Sequence, residues 1–181
     1  MPSITDFIVA LTGLLRNSPL SGFALWLQKQ PPSVFADSHT WFVPSFQIVH
    51  ILAISMLFGS AVMINMRIFM RAGRNQSMAQ VARRYLPWIW WGLLVLLLTG
   101  IGLTFSDPIR ELTNPFFWTK MILVVVAALV NIVFQTSVSR NAALWEMTDG
   151  RRVTVRLAAA SGIVLWCAIM ALGRWIAYAP T

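Results

Sequence analysis

Four stretches of the chain are almost uninterruptedly apolar, running roughly from Trp41 to Met66, Leu86 to Phe105, Pro115 to Val138 and Leu157 to Tyr178. At about 1.5 Å of rise per residue, each is long enough as a helix to cross the ~30 Å hydrocarbon layer of a bilayer. Two shorter pieces precede them, Ile4 to Leu15 and Pro19 to Gln28, apolar on one side and too short to span. Such pieces are expected to lie in the membrane interface, with the turn residues Asn17-Ser18-Pro19 between them. Pro31-Pro32 is expected to break the chain before the first span. The pattern shows neither an internal repeat nor a low-complexity tract. It predicts an all-α integral membrane four-helix bundle with one or two N-terminal interfacial amphipathic helices. The organisation expected is an interfacial region over 1–40 and a four-span transmembrane domain over 41–181.

Composition supports the class. Of 181 residues, 57% are hydrophobic and only 11% charged, whereas a soluble globule carries about a quarter charged residues. The net charge of +8 would point to nucleic acid in a soluble protein, but here the cations cluster. Arg67, Arg71, Arg74, Arg83 and Arg84 lie between spans one and two, and Arg140, Arg151, Arg152 and Arg156 between spans three and four. The connection between spans two and three has only Arg110 against Asp107 and Glu111. This is a topology signal rather than nucleic-acid binding: the two basic loops are expected inside, and both termini outside. The first 40 residues lack a basic leader region and a small-residue cleavage site, so no signal peptide is expected. Cys167 is the sole cysteine, which excludes an intramolecular disulfide, a CxxC pair and a thiolate metal site.

Local signals agree with these boundaries. Asn114-Pro115 reads as an N-cap followed by proline at the first helical position. Trp88, Trp90 and Trp91 near one end of span two, and Trp118 and Trp175 near the outer ends of spans three and four, read as aromatic belts. Ser55 with Gly59, and Ala158 with Gly162, set small residues four apart, which predicts close helix packing.

Ionisable groups inside a bilayer are costly and are candidate sites by default. His50, Lys120 and Arg174 qualify. Lys120 and Arg174 lie about one and a half turns from the outer ends of their spans, and His50 about two and a half turns in. Gln47 and Tyr178 share helix faces with His50 and Arg174, and Met170 stands one turn deeper than Arg174. An imidazole set deep with two cations nearer the surface suits an anionic, partly apolar ligand. A haem b fits, with iron on His50 and propionates near Lys120 and Arg174, and so does a quinone head group held by His50, Lys120, Arg174, Gln47 and Tyr178. The plainer readings stand beside it: Lys120 and Arg174 as snorkelling anchors, His50 as an inter-helix hydrogen-bond donor, Met170 as packing.

His39, eleven residues before His50, would stand about 16 Å from it on a continuous helix, so this pair cannot clasp one haem. Two-histidine ligation would need a second protomer or a partner redox subunit. There is no HxxxH, CxxxM or HExxH pattern, which disfavours zinc hydrolase and copper chaperone readings. Asp6, Asp37, Asp107, Glu111, Glu146 and Asp149 all fall outside the spans, which disfavours a carboxylate-relay transporter. Asn65, Asn131 and Gln135 are suited to hydrogen-bond between helices.

These residues also carry a resemblance. His50 with the following Leu57-Phe58-Gly59-Ser60 and Asn65-Met66-Arg67, then Leu86-Pro87-Trp88, Thr99-Gly100, Asn114-Pro115-x-Phe117-x-x-Lys120 and Gly173-Arg174-x-x-Ala177-Tyr178, run from about Trp41 to the end. In them the chain resembles an uncharacterised family of bacterial inner-membrane proteins, the domain of unknown function 6644. The resemblance implies a four-span membrane protein, with His50, Lys120 and Arg174 among its signature positions; in a bacterium the outer face, where the charge pattern puts both termini, is the periplasmic one. It brings no activity with it. The family pattern has an acidic residue where this chain has Asn65, so no carboxylate role carries over to that position. The chain is also loosely similar to copper-resistance-D-like and b-type cytochrome membrane proteins, which set histidines in helical bundles.

Three functional readings follow. The leading one is a small redox-associated membrane subunit that binds haem b or quinone in its outer half. The second is a non-enzymatic membrane scaffold or accessory subunit, and the third a conduit for small anions past Lys120 and Arg174. The third lacks the broken helices and repeat symmetry of transporters. No catalytic residue is assigned, and the chain is not expected to be an enzyme on its own. The partners expected are the lipid bilayer and a second copy or a redox subunit, with no nucleic acid.

Overall fold

The computed structural model describes residues 4–70, 77–140 and 152–178. Every regular element among them is helical. In chain order they are α1 (Ile4–Arg16), α2 (Pro19–Gln28), α3 (Pro31–Ser38), α4 (Phe42–Met70), α5 (Met78–Ser106), α6 (Pro108–Leu112), α7 (Pro115–Arg140) and α8 (Arg152–Trp175). A 3-10 turn, Ile176–Tyr178, follows α8. Arg71, Arg74, Glu146, Asp149 and Arg151 lie outside the described residues.

Three helices are long and apolar enough to cross a membrane: Phe42–Phe69, Met78–Ser106 and Pro115–Val138. In α8 the apolar stretch, Ala159–Trp175, is shorter. The outward character of these helices matches their composition. On α7, Ile122, Val125, Leu129 and Val133 recur at helical spacing and are exposed, from 56% at Val125 to 66% at Val133. A continuous exposed apolar stripe of this kind marks a face for contact with another apolar surface.

The chain divides into two compact units. One comprises Ile51–Leu96 and Leu123–Ile169. Its core is apolar throughout, with Leu57, Met78 and Ile89 almost wholly buried beside Ile64, Ala127 and Trp166. Within it the Trp90 indole N–H donates to Gln135 Oε1 at 2.9 Å, a polar tie between α5 and α7. Asn65 and Asn131 instead donate back to the Ala61 and Ala127 carbonyls of their own helices, so they do not link helices through these bonds. The other unit comprises the chain up to His50, Leu97–Ile122 and the residues from Met170. Here α2 packs on α6 as well as on α1 and α3, with Ala24 fully buried. Ser33 Oγ ties α3 to the Leu27 carbonyl at 2.8 Å.

Two expected boundaries change. Pro31-Pro32 does not break the chain: it opens α3, with Gln30 extended before it as the cap residue. Proline fits a first helical turn because the amide hydrogens there have no partner within the helix. Helix α5 starts at Met78, well before Leu86, and carries Pro87 inside it. The interruption costs one backbone hydrogen bond, which apolar helices tolerate where neighbours support them.

The expected close packing at small residues also moves. Nothing lies within 4 Å of a Cβ built on Gly59 or Gly162, and Ser55 is exposed, its hydroxyl on the Ile51 carbonyl. The side chain of Ala158 lies outside the described residues. The close approaches are on α5 instead: Gly92 against Leu57 and Ala53, and Gly102 against the Phe46 ring. In both places a large side chain of α4 faces a bare backbone.

Asn114 caps α7 as its sequence position predicts. Its Oδ1 accepts from the Phe116 N–H at 2.9 Å, and its Nδ2 donates to the Ile176 carbonyl at 3.3 Å. The residue is 3% exposed. Asn114→Ala loses the cap and leaves buried backbone groups unpaired, at a cost of about 1–3 kcal/mol. Thermal unfolding in detergent should show that loss, and Asn114→Asp, which keeps the cap oxygen, should recover part of it.

Candidate functional site

His50 comes from α4, and the hydroxyl of Thr99 from α5 meets its Nδ1 at 2.7 Å. Thr99 is buried, and His50 is half-buried. Helix chemistry favours one tautomer. A helical threonine hydroxyl donates to a carbonyl one turn back, as Thr104, Thr113 and Thr119 do at 2.8–2.9 Å. Thr99 used in that way keeps a lone pair to accept from Nδ1–H. The lone pair of the His50 ring is then on Nε2, which has no hydrogen-bond partner among the described residues. Gly100 leaves the ring edge open: a Cβ there would stand 3.9 Å from Cε1.

Lys120 comes from the second turn of α7 and is half-buried. Its side chain does not simply reach outward. It lies along Gly173 of α8, with Nζ and Cε both 3.6 Å from where a Cβ would be. From there its charge acts on both His50 and Glu111.

Glu111 lies on α6, the single short turn between α5 and α7. Asp107 caps that turn by accepting from the Arg110 N–H at 3.2 Å. The Trp118 indole N–H donates to the Leu112 carbonyl at 2.9 Å and holds α6 against the start of α7. Glu111 is half-buried as a result. Burial pushes its carboxyl up from the ordinary range; Lys120 pulls it down, Asp107 pushes it up and Arg110 pulls it down, and burial prevails.

The remaining candidates do not join this group. Arg174 is exposed and turned to its own neighbour: Nη2 donates to the Tyr178 hydroxyl at 2.7 Å. Its guanidinium also stands 5.1 Å from the Tyr178 ring centre. Gln47 is exposed and Met170 half-buried. His39 belongs to an aromatic cluster at the start of α4, stacked on Phe35 at 4.2 Å, with Nδ1 2.9 Å from the Phe35 carbonyl. Among the described residues no three His, Cys, Asp or Glu side chains are grouped to hold a metal ion.

The structure thus sets His50 against Thr99 and Lys120 against Gly173; the sequence reading named neither Thr99 nor Glu111 as a site residue. Thr99 could have been found as a hydroxyl within an apolar run. Glu111 lies outside the spans and is half-buried on α6, the turn on which α2 packs.

A profile of the family of unknown function DUF6644 matches residues 33–179. No curated protein and no solved structure matches the chain.

Proposed function

We propose, from the premise that the chain belongs to the family of unknown function DUF6644, that it is a four-span membrane protein binding a quinone or quinol head group at His50 and Lys120. The fourth span in this reading is α8. The basic segments around Arg67–Arg84 and Arg140–Arg156 face the cytoplasm by the positive-inside rule, which puts the termini on the periplasmic side of a bacterial inner membrane. The observation that carries the reading is the pairing of an oriented acceptor with a cationic donor. His50 Nε2, which carries the lone pair when Nδ1–H donates to Thr99, suits a quinol O–H. The Lys120 ammonium, whose charge acts on His50, suits a carbonyl or phenolate oxygen. An isoprenoid tail needs no dedicated groove, since the helices expose apolar faces to lipid.

Haem b at the same nitrogen is the second reading, favoured by Nε2 being the nitrogen whose partner nitrogen is already hydrogen-bonded, as in metal-bound histidines. It is weakened by Arg174, which turns to Tyr178 rather than joining Lys120 as a propionate partner.

Protein purified in mild detergent distinguishes the readings. Solvent extraction is expected to yield quinone approaching one per chain, and a short-chain quinone is expected to quench tryptophan emission saturably. A Soret band that persists through purification would replace quinone with haem. Neither quinone nor a visible band would leave the scaffold reading.

A further inference from the structure

We propose that Arg174 and Tyr178, at the outer end of α8, hold the phosphate of an anionic phospholipid. This rests on α8 as the fourth span and is independent of the quinone site. Helix α8 ends at Trp175, and the 3-10 turn Ile176–Tyr178 follows it directly. Across that turn Tyr178 comes back to Arg174. Nη2 of Arg174 donates to the Tyr178 hydroxyl at 2.7 Å, and the guanidinium stands 5.1 Å from the centre of the same ring. An arginine that is exposed yet fixed at two points has already lost much of the rotamer freedom that ligand binding would otherwise cost.

Most donors of this pair are unspent. The guanidinium gives one of its N–H groups to Tyr178, and the phenol, which accepts that bond, keeps its own O–H proton to donate. Beside them Trp175, whose ring meets Phe116 edge-on at 5.8 Å, is exposed, and its indole N–H has no hydrogen-bond partner among the described residues. No acidic side chain takes up what remains. The sequence has no Asp or Glu after Asp149, and no carboxylate pairs with Arg174 among the described residues.

A phosphodiester matches this set, because its free oxygens accept from a guanidinium edge and a hydroxyl at once. The last carbonyls of α8 form the negative end of its dipole and repel a bare anion, so the guanidinium is what makes anion binding there favourable. The lack of an acidic side chain selects the headgroup. A zwitterionic lipid brings an ammonium that would need such a partner; an anionic lipid does not. Trp175 and Tyr178 set the level, since amphipathic rings of this kind sit where headgroups meet hydrocarbon.

The test is native mass spectrometry of the full-length protein in mild detergent, titrated with phosphatidylglycerol or with phosphatidylcholine of the same acyl chains. Wild type should retain one phosphatidylglycerol with a preference on the order of tenfold over phosphatidylcholine, the effect of one charge-assisted hydrogen bond. Arg174→Gln should remove that lipid with helical content unchanged, since the residue is exposed. Tyr178→Phe keeps the ring, loses the hydroxyl and should weaken retention several-fold; full retention there would overturn the shared grip of the two residues. The basic segment around Arg67–Arg84 also attracts anionic lipid, so the comparison is repeated in an Arg83→Gln, Arg84→Gln background, where Arg174→Gln should cost the same. Equal retention in wild type and Arg174→Gln, or an effect that vanishes in that background, would overturn the proposal. Displacement of the lipid by millimolar inorganic phosphate would overturn the lipid as the ligand. A C-terminal alkaline phosphatase fusion, active only outside the cytoplasm, tests the parent reading separately. An inactive fusion with Arg174-dependent lipid retention would keep the site, move it to the inner leaflet and overturn the topology.

Discussion

Replacing His50 with alanine is expected to weaken binding of a short-chain quinol by on the order of a hundredfold, with the helical content and melting temperature of the protein nearly unchanged. The ligand loses the acceptor nitrogen that takes its hydroxyl proton, next to an ammonium that is itself only half hydrated. Leaving the quinol hydroxyl without its acceptor costs roughly 1–3 kcal/mol, and each 1.4 kcal/mol is about a tenfold change in affinity. The fold loses little, because His50 is half-buried and its partner Thr99 retains a backbone carbonyl within reach of its hydroxyl.

Thr99→Val gives the second half of the test. It keeps the shape and removes the oxygen that meets Nδ1 at 2.7 Å. The imidazole stays, yet its tautomer and ring angle are no longer held, so binding should weaken by about tenfold. Thr99→Ser should recover most of it. Fluorescence titration of the three variants is sufficient. Unchanged quinol affinity in His50→Ala would remove His50 from the site and with it the functional reading. An effect of Thr99→Val as large as that of His50→Ala would show that orientation rather than the nitrogen itself dominates.

The long helices were legible because each is a run of consecutive apolar residues long enough to cross a membrane. The ends of α7 and the start of α4 fall close to where the apolar runs begin, and the N-cap at Asn114 could be named from two letters of sequence. What the pattern missed depends on contacts distant in the chain. Pro31-Pro32 reads as an interruption until Gln30 is seen extended before it. Helix α2 packs on α6, the turn on which Glu111 is half-buried, a pairing that no local periodicity encodes. The candidate site shows the same division. His50 and Lys120 were chosen for the cost of placing them in lipid, an argument from composition alone. Whether Arg174 joins them depends on which way a long, flexible side chain turns, and here it turns to Tyr178 four residues on. Thr99 is uncharged, so the search for costly groups passed over it, although it is the residue that determines which imidazole nitrogen is available.

Small residues show most clearly where spacing misleads. Ser55 and Gly59, four apart on α4, have the pattern of a packing face, and a side chain at Gly59 would meet nothing within 4 Å. Gly92 has no such pattern. A Cβ there would stand 2.9 Å from Leu57 Cβ and 3.4 Å from the Ala53 carbonyl oxygen, and Leu57 is 1% exposed. The obstructing atoms are a Cβ and a backbone oxygen, which cannot swing aside as the end of a long side chain does. Gly92→Ala should therefore destabilise the protein by about 1–3 kcal/mol from overpacking, against roughly 1 kcal/mol of gain in helix propensity. Gly92→Leu should force α4 and α5 apart and largely prevent accumulation of folded protein. Gly59→Leu, on the exposed side of the same pair of helices, should change melting in detergent little. If membrane yield and melting temperature follow the order wild type, Gly59→Leu, Gly92→Ala, Gly92→Leu, the contact surface between these helices runs through Gly92. If Gly59→Leu is the more damaging, Gly59 faces another chain, and the small-residue face of α4 would be a site of association between copies rather than of packing within one.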